Sequence, residues 1–170
     1  MSDWMLPPEV MKFAEAANRF VSFIETSHEY DLLERLVRCA AVTGELFTAG
    51  LYLPLQDVPE DPDELPSPQP VRTWIGFEEL TMFWQVPDAF AWAGPVVVSL
   101  SDLLLDTHRD IKRGLLTFHQ GNSEQDAEIV AYALWYWRDR MEKYWGAWTS
   151  DALRALNRAI QKVSSGERDF

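Results

Sequence analysis

The chain has 170 residues, 47% of them apolar and 13% aromatic, and its 27 acids against 15 bases give a formal net charge of −12. That much apolar and aromatic surface forms a real core and excludes a disordered chain despite the charge. The acidity disfavours nucleic acid, whose phosphates it repels, and leaves solubility or a cationic partner as its meaning.

No opening run pairs a basic region with an apolar one, so no secretory signal is expected. The longest nearly uncharged stretch, residues 89–101, is too short for a bilayer and is broken by Pro95. The single cysteine, Cys39, has no partner for an internal disulfide. Together these features predict a soluble cytoplasmic protein with no membrane contact, organised as a single helical domain over residues 1–170. The charge is uneven: residues 1–85 carry 15 acids and 5 bases, residues 86–170 carry 12 and 10.

Pro7-Pro8 suits the first turn of a helix, and Val10, Phe13, Ala17, Phe20 and Ile24 mark its buried stripe. A second helix is predicted from Ser27 or Asp31, burying Leu33, Leu36, Val37, Ala40 and Phe47 and ending between Gly50 and Pro54. A proline- and acid-rich crossover loop follows at about 54–72. Its span 54–70 holds six of the ten prolines and five acids with no base, which no helix sustains. A ligand for a proline-recognising module is the less favoured reading of that loop. The aromatic-dense segment 74–92 is expected to hold one short helix near Gly76–Gln85 and to cover one end of the bundle.

A further helix is expected after Gly94-Pro95, capped by Ser99 or Ser101 and stopped by Gly121. Asn122 or Ser123 is then read as the cap of a long helix with the stripe Ala127, Val130, Leu134, Trp137, Met141 and Tyr144. Gly146 marks a kink or break, and a last helix buries Ala152, Leu153, Leu156, Ala159, Ile160 and Val163. No alternating strand pattern is evident. The fold class is therefore all-α, a compact bundle of five to six helices.

Three features bear on chemistry. Asp102, Asp106 and Asp110 recur at spacing four along one helix, where like charges repel by a few tenths of a kcal/mol and call for compensation. Arg154, Arg158 and Lys162 form a matching ladder on the last helix, and Arg109 and Arg113 can help within the aspartates' own helix, so structural pairing is the favoured reading. The alternatives are a solvated face, or a Mg²⁺ or Mn²⁺ site on the three aspartates with Arg154 or Arg158 meeting a phosphate. His108 and His119 stand three turns apart, and no Cys or His pair has zinc spacing. No nucleophile elbow, phosphate loop or dinucleotide fingerprint is present, and the carboxylates match the all-α nucleotide pyrophosphatases poorly. No cofactor is expected. Trp84 in the cover, and Trp145 at the Tyr144-Trp145-Gly146 kink, are the places for an apolar ligand, against a default of core packing.

Three segments carry a resemblance: Leu46-Phe-Thr-Ala-Gly-Leu-Tyr-Leu-Pro54, Asp102-Leu-Leu-Leu-Asp-Thr-His-Arg-Asp-Ile-Lys-Arg-Gly-Leu115, and Tyr144-Trp-Gly-Ala-Trp148 running into Ala152-Leu-Arg-Ala-Leu156. Together they resemble an uncharacterised bacterial family of all-helical proteins, a domain of unknown function. The resemblance implies a compact helical domain and no established activity. Where that family shows two histidines around Trp-Gly, this chain has Tyr144 and Trp148, whereas the aspartate series is retained.

The resulting expectation is a non-enzymatic interaction or ligand-binding protein whose acidic N-terminal half meets a basic protein partner. The alternative is a divalent-metal-dependent hydrolase of a phosphorylated small molecule using Asp102, Asp106 and Asp110. Oligomeric state stays open.

Overall fold

The structure is a computed structural model, and it describes residues 6–60, 66–69, 76–77, 82–85 and 94–167. Helix α1 spans Pro8–Thr26, with proline in its first turn, where the missing N–H breaks no hydrogen bond. Its predicted stripe of Val10, Phe13, Ala17, Phe20 and Ile24 is buried throughout. A 3₁₀ turn, Ser27–Glu29, reverses the chain into α2, Leu32–Leu51. Asp31 is the N-cap of α2, its carboxylate accepting from the Glu34 N–H at 2.9 Å. Arg35 fastens this corner by donating to the carbonyls of Ser27, Tyr30 and Gly76.

The stripe on α2 differs from expectation. Leu36, Cys39, Thr43, Leu46 and Gly50 face inward, while Leu33 and Val37 are exposed. Both sets fit helical spacing, and the inner set is the one that brings Gly50 against Trp145 and Met141. The crossover loop begins as predicted, without regular structure over residues 53–60 and again over 66–69.

The short helix predicted near Gly76–Gln85 is replaced at its end by a strand. β1, Met82–Gln85, pairs antiparallel with β2, Val96–Ser99, in the register Met82↔Ser99 and Trp84↔Val97. Three consecutive valines and two aromatics favour a pleated surface. Four-residue strands are too short for their alternation to stand out. The ribbon lies on the last helix, where Arg154 donates to the Trp84 carbonyl at 2.8 Å and the Gln85 amide donates to Asp151 at 2.5 Å. Trp74 and Trp92 lie outside the described residues.

α3, Leu100–Glu124, starts at the predicted Ser99, whose hydroxyl accepts from the Asp102 N–H at 3.2 Å. It runs past Gly121. That glycine is needed for the crossing with the next helix, because a Cβ there would come within 2.9 Å of Ile129 and Val130. Gln125, with φ of 54°, closes α3, and Asp126 rather than Asn122 or Ser123 caps α4, Ala127–Arg140. A π-helical turn, Met141–Trp145, leads directly into α5, Gly146–Ser164. The extra residue of this turn rotates the chain beyond it, so Trp145 is buried where the stripe predicts Tyr144, and Tyr144 is exposed. Among the described residues the fold is thus mostly helical, five α-helices and one small ribbon, and none of these helices is long and apolar enough to cross a membrane.

One apolar cluster draws on all five helices, and Trp137 sits inside it. Its ring meets Phe13 edge-on at 4.8 Å and Phe118 at 5.5 Å, and its indole N–H donates to the Ile111 carbonyl at 3.2 Å. A Cβ at Gly114 would stand 2.0 Å from the indole nitrogen. Gly114→Ala should therefore destabilise the chain by about 1–3 kcal/mol as the α3–α4 crossing is forced apart. Urea unfolding monitored by tryptophan fluorescence measures this, and an unchanged midpoint would show that the crossing yields without cost.

Candidate functional site

Asp110 is the most deeply placed of the three predicted aspartates, at 2% side-chain exposure. Arg140 on α4 donates to both its oxygens, Nε to Oδ2 at 3.1 Å and Nη2 to Oδ1 at 3.2 Å, and the Tyr136 hydroxyl approaches Oδ1 at 3.4 Å. Arg140 also lies 4.2 Å from the Tyr144 ring centroid. Burial opposes the charge on Arg140, but the hydrogen bonds and attraction of Asp110 prevail and raise its pKa. Burial, and then the negative charge of Asp110, push the Tyr136 phenol up. The buried carboxylate is thus matched by a bidentate cation from a neighbouring helix.

This geometry corrects the ladder reading. Asp106 pairs within its own helix with Arg109 at 3.0 Å, and Asp102 is exposed in the first turn of α3, where an acid favours the helix dipole. Arg154 turns to Asp151 at 3.7 Å and to Trp84, and Arg158 to Gln161 at 3.4 Å. Spacing-four steps drift around the helix, so the three aspartates meet three different environments. Among the described residues no group of three His, Cys, Asp or Glu side chains could hold a metal ion. The predicted metal set on Asp102, Asp106 and Asp110 is not assembled.

The structure does bring Trp84 and Arg154 together at the ribbon. Trp84 is 64% exposed, beside the exposed Met82 and Val97. Trp145 is wholly buried, stacked at 6.0 Å on Phe13, with its indole N–H unpartnered among the described residues. It is a core residue. Cys39 is buried too, its thiol pushed up to about 12 by burial, which leaves it inert as a nucleophile.

A polar cluster that periodicity could not show joins α1 to α3. His108, at 2% exposure, places Nε2 at 3.1 Å from Glu25, and Lys112 donates to the same Glu25 oxygen. Burial depresses the His108 pKa more than the attraction of Glu25 raises it. For Glu25, burial raises the pKa, but the hydrogen bonds and charges of Lys112 and His108 outweigh it and lower the value. The sequence holds one clue, a histidine on the buried face of α3; its partner lies 83 positions away.

Among the described residues, open surfaces include a groove and an exposed segment. A groove of about 670 Å³ lies between α1 and α2, lined by Glu9, Lys12, Glu15, Arg19, Glu45 and Tyr52 among others. Beyond α2, Leu53 is buried and its carbonyl accepts from Arg138 at 3.4 Å, after which Leu55 and Val58 stand 79% and 78% exposed.

These elements define a mostly helical protein with buried ion pairs between helices. The family model for a domain of unknown function, DUF5063, matches residues 5–162, and the chain belongs to that family. The fold is similar to the crystal structure of protein BF1032 from Bacteroides fragilis, a structural-genomics target, with a TM-score of 0.73 and 17% identity over 89% of this chain and 92% of that one. At that identity the likeness establishes a shared fold alone. No curated protein matches the chain.

Arg140→Met, which strands the Asp110 carboxylate, should cost about 2–5 kcal/mol of stability, whereas Arg109→Met on the exposed pair should cost less than about 1 kcal/mol. Equal losses in denaturant unfolding would mean that Asp110 finds other compensation. The folded pKa of His108 lies below its ordinary 6.5, so the unfolded chain takes up the proton first and stability falls as pH drops below 6.5. Glu25 adds a further loss below its ordinary 4.5, down through its lowered folded value. Unfolding measured against pH should show the upper part of this slope flattened in His108→Gln, and an identical profile would remove His108 as its source.

Proposed function

We propose that the protein is a non-enzymatic interaction protein that engages a basic protein partner through the acidic, apolar-studded segment 53–60. The observation that carries this reading is the exposure of Leu55 and Val58 on a segment whose root is fixed. Single exposed apolar side chains are ordinary. Here two stand three residues apart, with Asp57 and Glu60 alongside and no base between positions 51 and 60.

Pro54 and Pro59 restrict the chain to extended conformations, which reduces the entropy lost on docking. The buried Leu53 side chain and the Arg138 contact hold the segment against the helices, so it is presented from a rigid base. Alternating apolar and acidic side chains suit a partner groove with apolar pockets and a cationic rim. Charge of this kind chiefly sets approach rate and selectivity, while the apolar anchors slow release.

The test captures partners from a lysate of the source organism, then measures a purified partner against the wild-type chain and two double variants. Leu55→Ala/Val58→Ala should weaken binding at least about tenfold through lost anchors. Asp57→Asn/Glu60→Gln should weaken it and flatten its dependence on salt. Unchanged affinity in both variants would show that the partner binds elsewhere.

A further inference from the structure

The acidic segment beyond α2 has a periodicity of its own. Leu53 is buried, Gln56 and Pro59 are partly buried, and Leu55, Asp57, Val58 and Glu60 are exposed. Past Pro54, which is partly buried at the foot, the inward side thus returns at every third residue. A β-strand repeats every two residues and would put Leu55 on the side of Leu53, yet Leu53 is 3% exposed and Leu55 79%. Polyproline II repeats every three. Pro54 and Pro59 fix φ near its value, and Leu53 and Val58, each preceding a proline, are kept out of the helical region. Among the described residues, the backbone of residues 54–60 makes no hydrogen bond to other backbone groups, as that conformation requires.

We infer, resting on the basic-partner reading above, that residues 53–60 are recognised as a three-faced polyproline-II strut. One face, Leu53, Gln56 and Pro59, lies towards the protein. The second carries Leu55 and Val58, and the third carries Pro54, Asp57 and Glu60. At about 3.1 Å per residue, Leu55 and Val58 stand about 9 Å apart along one edge, with the two acids at the same spacing along the next.

This spacing defines the kind of partner. It is a basic protein whose groove has two apolar pockets about 9 Å apart and a row of lysine or arginine along one wall. The acidic edge is not neutralised within the chain. Neither Asp57 nor Glu60 has an ion pair among the described residues, whereas Glu15, Glu34 and Glu45 on α1 and α2 all do. A groove that pairs with an edge strand would instead read Leu55 together with Asp57, an apolar and a charged side chain on one face.

Two measurements test the geometry. Cys39 is buried and inert, so single cysteines from Leu55→Cys through Glu60→Cys in the full chain each report on their own position. Thiol labelling should be slow at positions 56 and 59 and fast at 55, 57, 58 and 60. A two-residue period, or equal rates throughout, overturns the inference without a partner in hand. The second measurement uses the partner purified for the alanine variants above and the exchange variant Asp57→Val/Val58→Asp. The exchange keeps composition and charge but moves the apolar pair to spacing two, and it should weaken binding at least about tenfold. Wild-type affinity in the exchange variant, with binding weakened in Leu55→Ala/Val58→Ala, overturns the three-faced strut and leaves the segment as the binding site. Wild-type affinity in Leu55→Ala/Val58→Ala as well removes the apolar edge from the contact and overturns the inference together with the anchors it rests on.

Discussion

The seating of Trp137 over Gly114 constrains the helical packing more than any other contact. A glycine on α3 lets the indole approach until its N–H reaches the Ile111 carbonyl, an oxygen inside the same helix. With α4 pulled in this close, the Trp137 ring reaches Phe13 on α1 and Phe118 on α3. Gly121 serves the same crossing one end further along, against Ile129 and Val130. Two glycines seven positions apart therefore fix how α3 and α4 lie together. The depth of Asp110, one turn before Gly114, follows, because a carboxylate on the α4-facing side of α3 is covered by whatever α4 places over it.

What α4 places there is decided by the π turn. A regular helix through residues 141–145 would turn Tyr144 inward along the stripe of Trp137 and Met141. The additional residue sends Trp145 into the core and leaves Tyr144 outside, 4.2 Å from the Arg140 guanidinium. A Cβ at Gly146 would stand 2.5 Å from the Met141 carbonyl, so the glycine permits this geometry. Arg140 is then held between an aromatic face and the Asp110 carboxylate. Two of the three segments that carry the family resemblance, the aspartate helix and the Tyr-Trp-Gly segment, meet at this arginine, which neither contains.

Local features of the fold were legible because their causes are local. The proline start of α1, the Asp31 and Ser99 caps and the α1 stripe each depend on residues within a turn or two. The α2 stripe is ambiguous in the sequence because Leu33 and Val37 are at least as apolar as the residues that turn inward, Thr43 and Gly50 among them. Contact with Met141 and Trp145, 91 and 95 positions beyond Gly50, selects the inner face. The ribbon is hidden for a related reason, since its four-residue strands are held by pairing with each other and by Arg154 rather than by local pattern. The aspartate ladder failed on geometry. Equal spacing on two helices suggests pairing, yet a 100° step per residue turns each member towards a different neighbour, and Asp110 found its cation on α4.

The distribution of charge gives the acidity a location. Along α1 and α2 the carboxylates are largely matched: Glu15 and Glu45 by Arg19, Glu25 by Lys112 and His108, Glu34 by Arg38. Asp110 and Asp151 are matched by Arg140 and Arg154. Asp57 and Glu60 have no ion pair among the described residues, and the sequence after them adds Asp61, Asp63 and Glu64 without a base. The surplus negative charge is thus concentrated in the crossover rather than spread over the helices. A charge serving solubility alone needs no such concentration, because scattered surface carboxylates repel other copies equally well. Under the proposed reading, that charge lies beside Leu55 and Val58, on a proline-containing segment rooted by Leu53, where it would supply a short-range field for a basic partner.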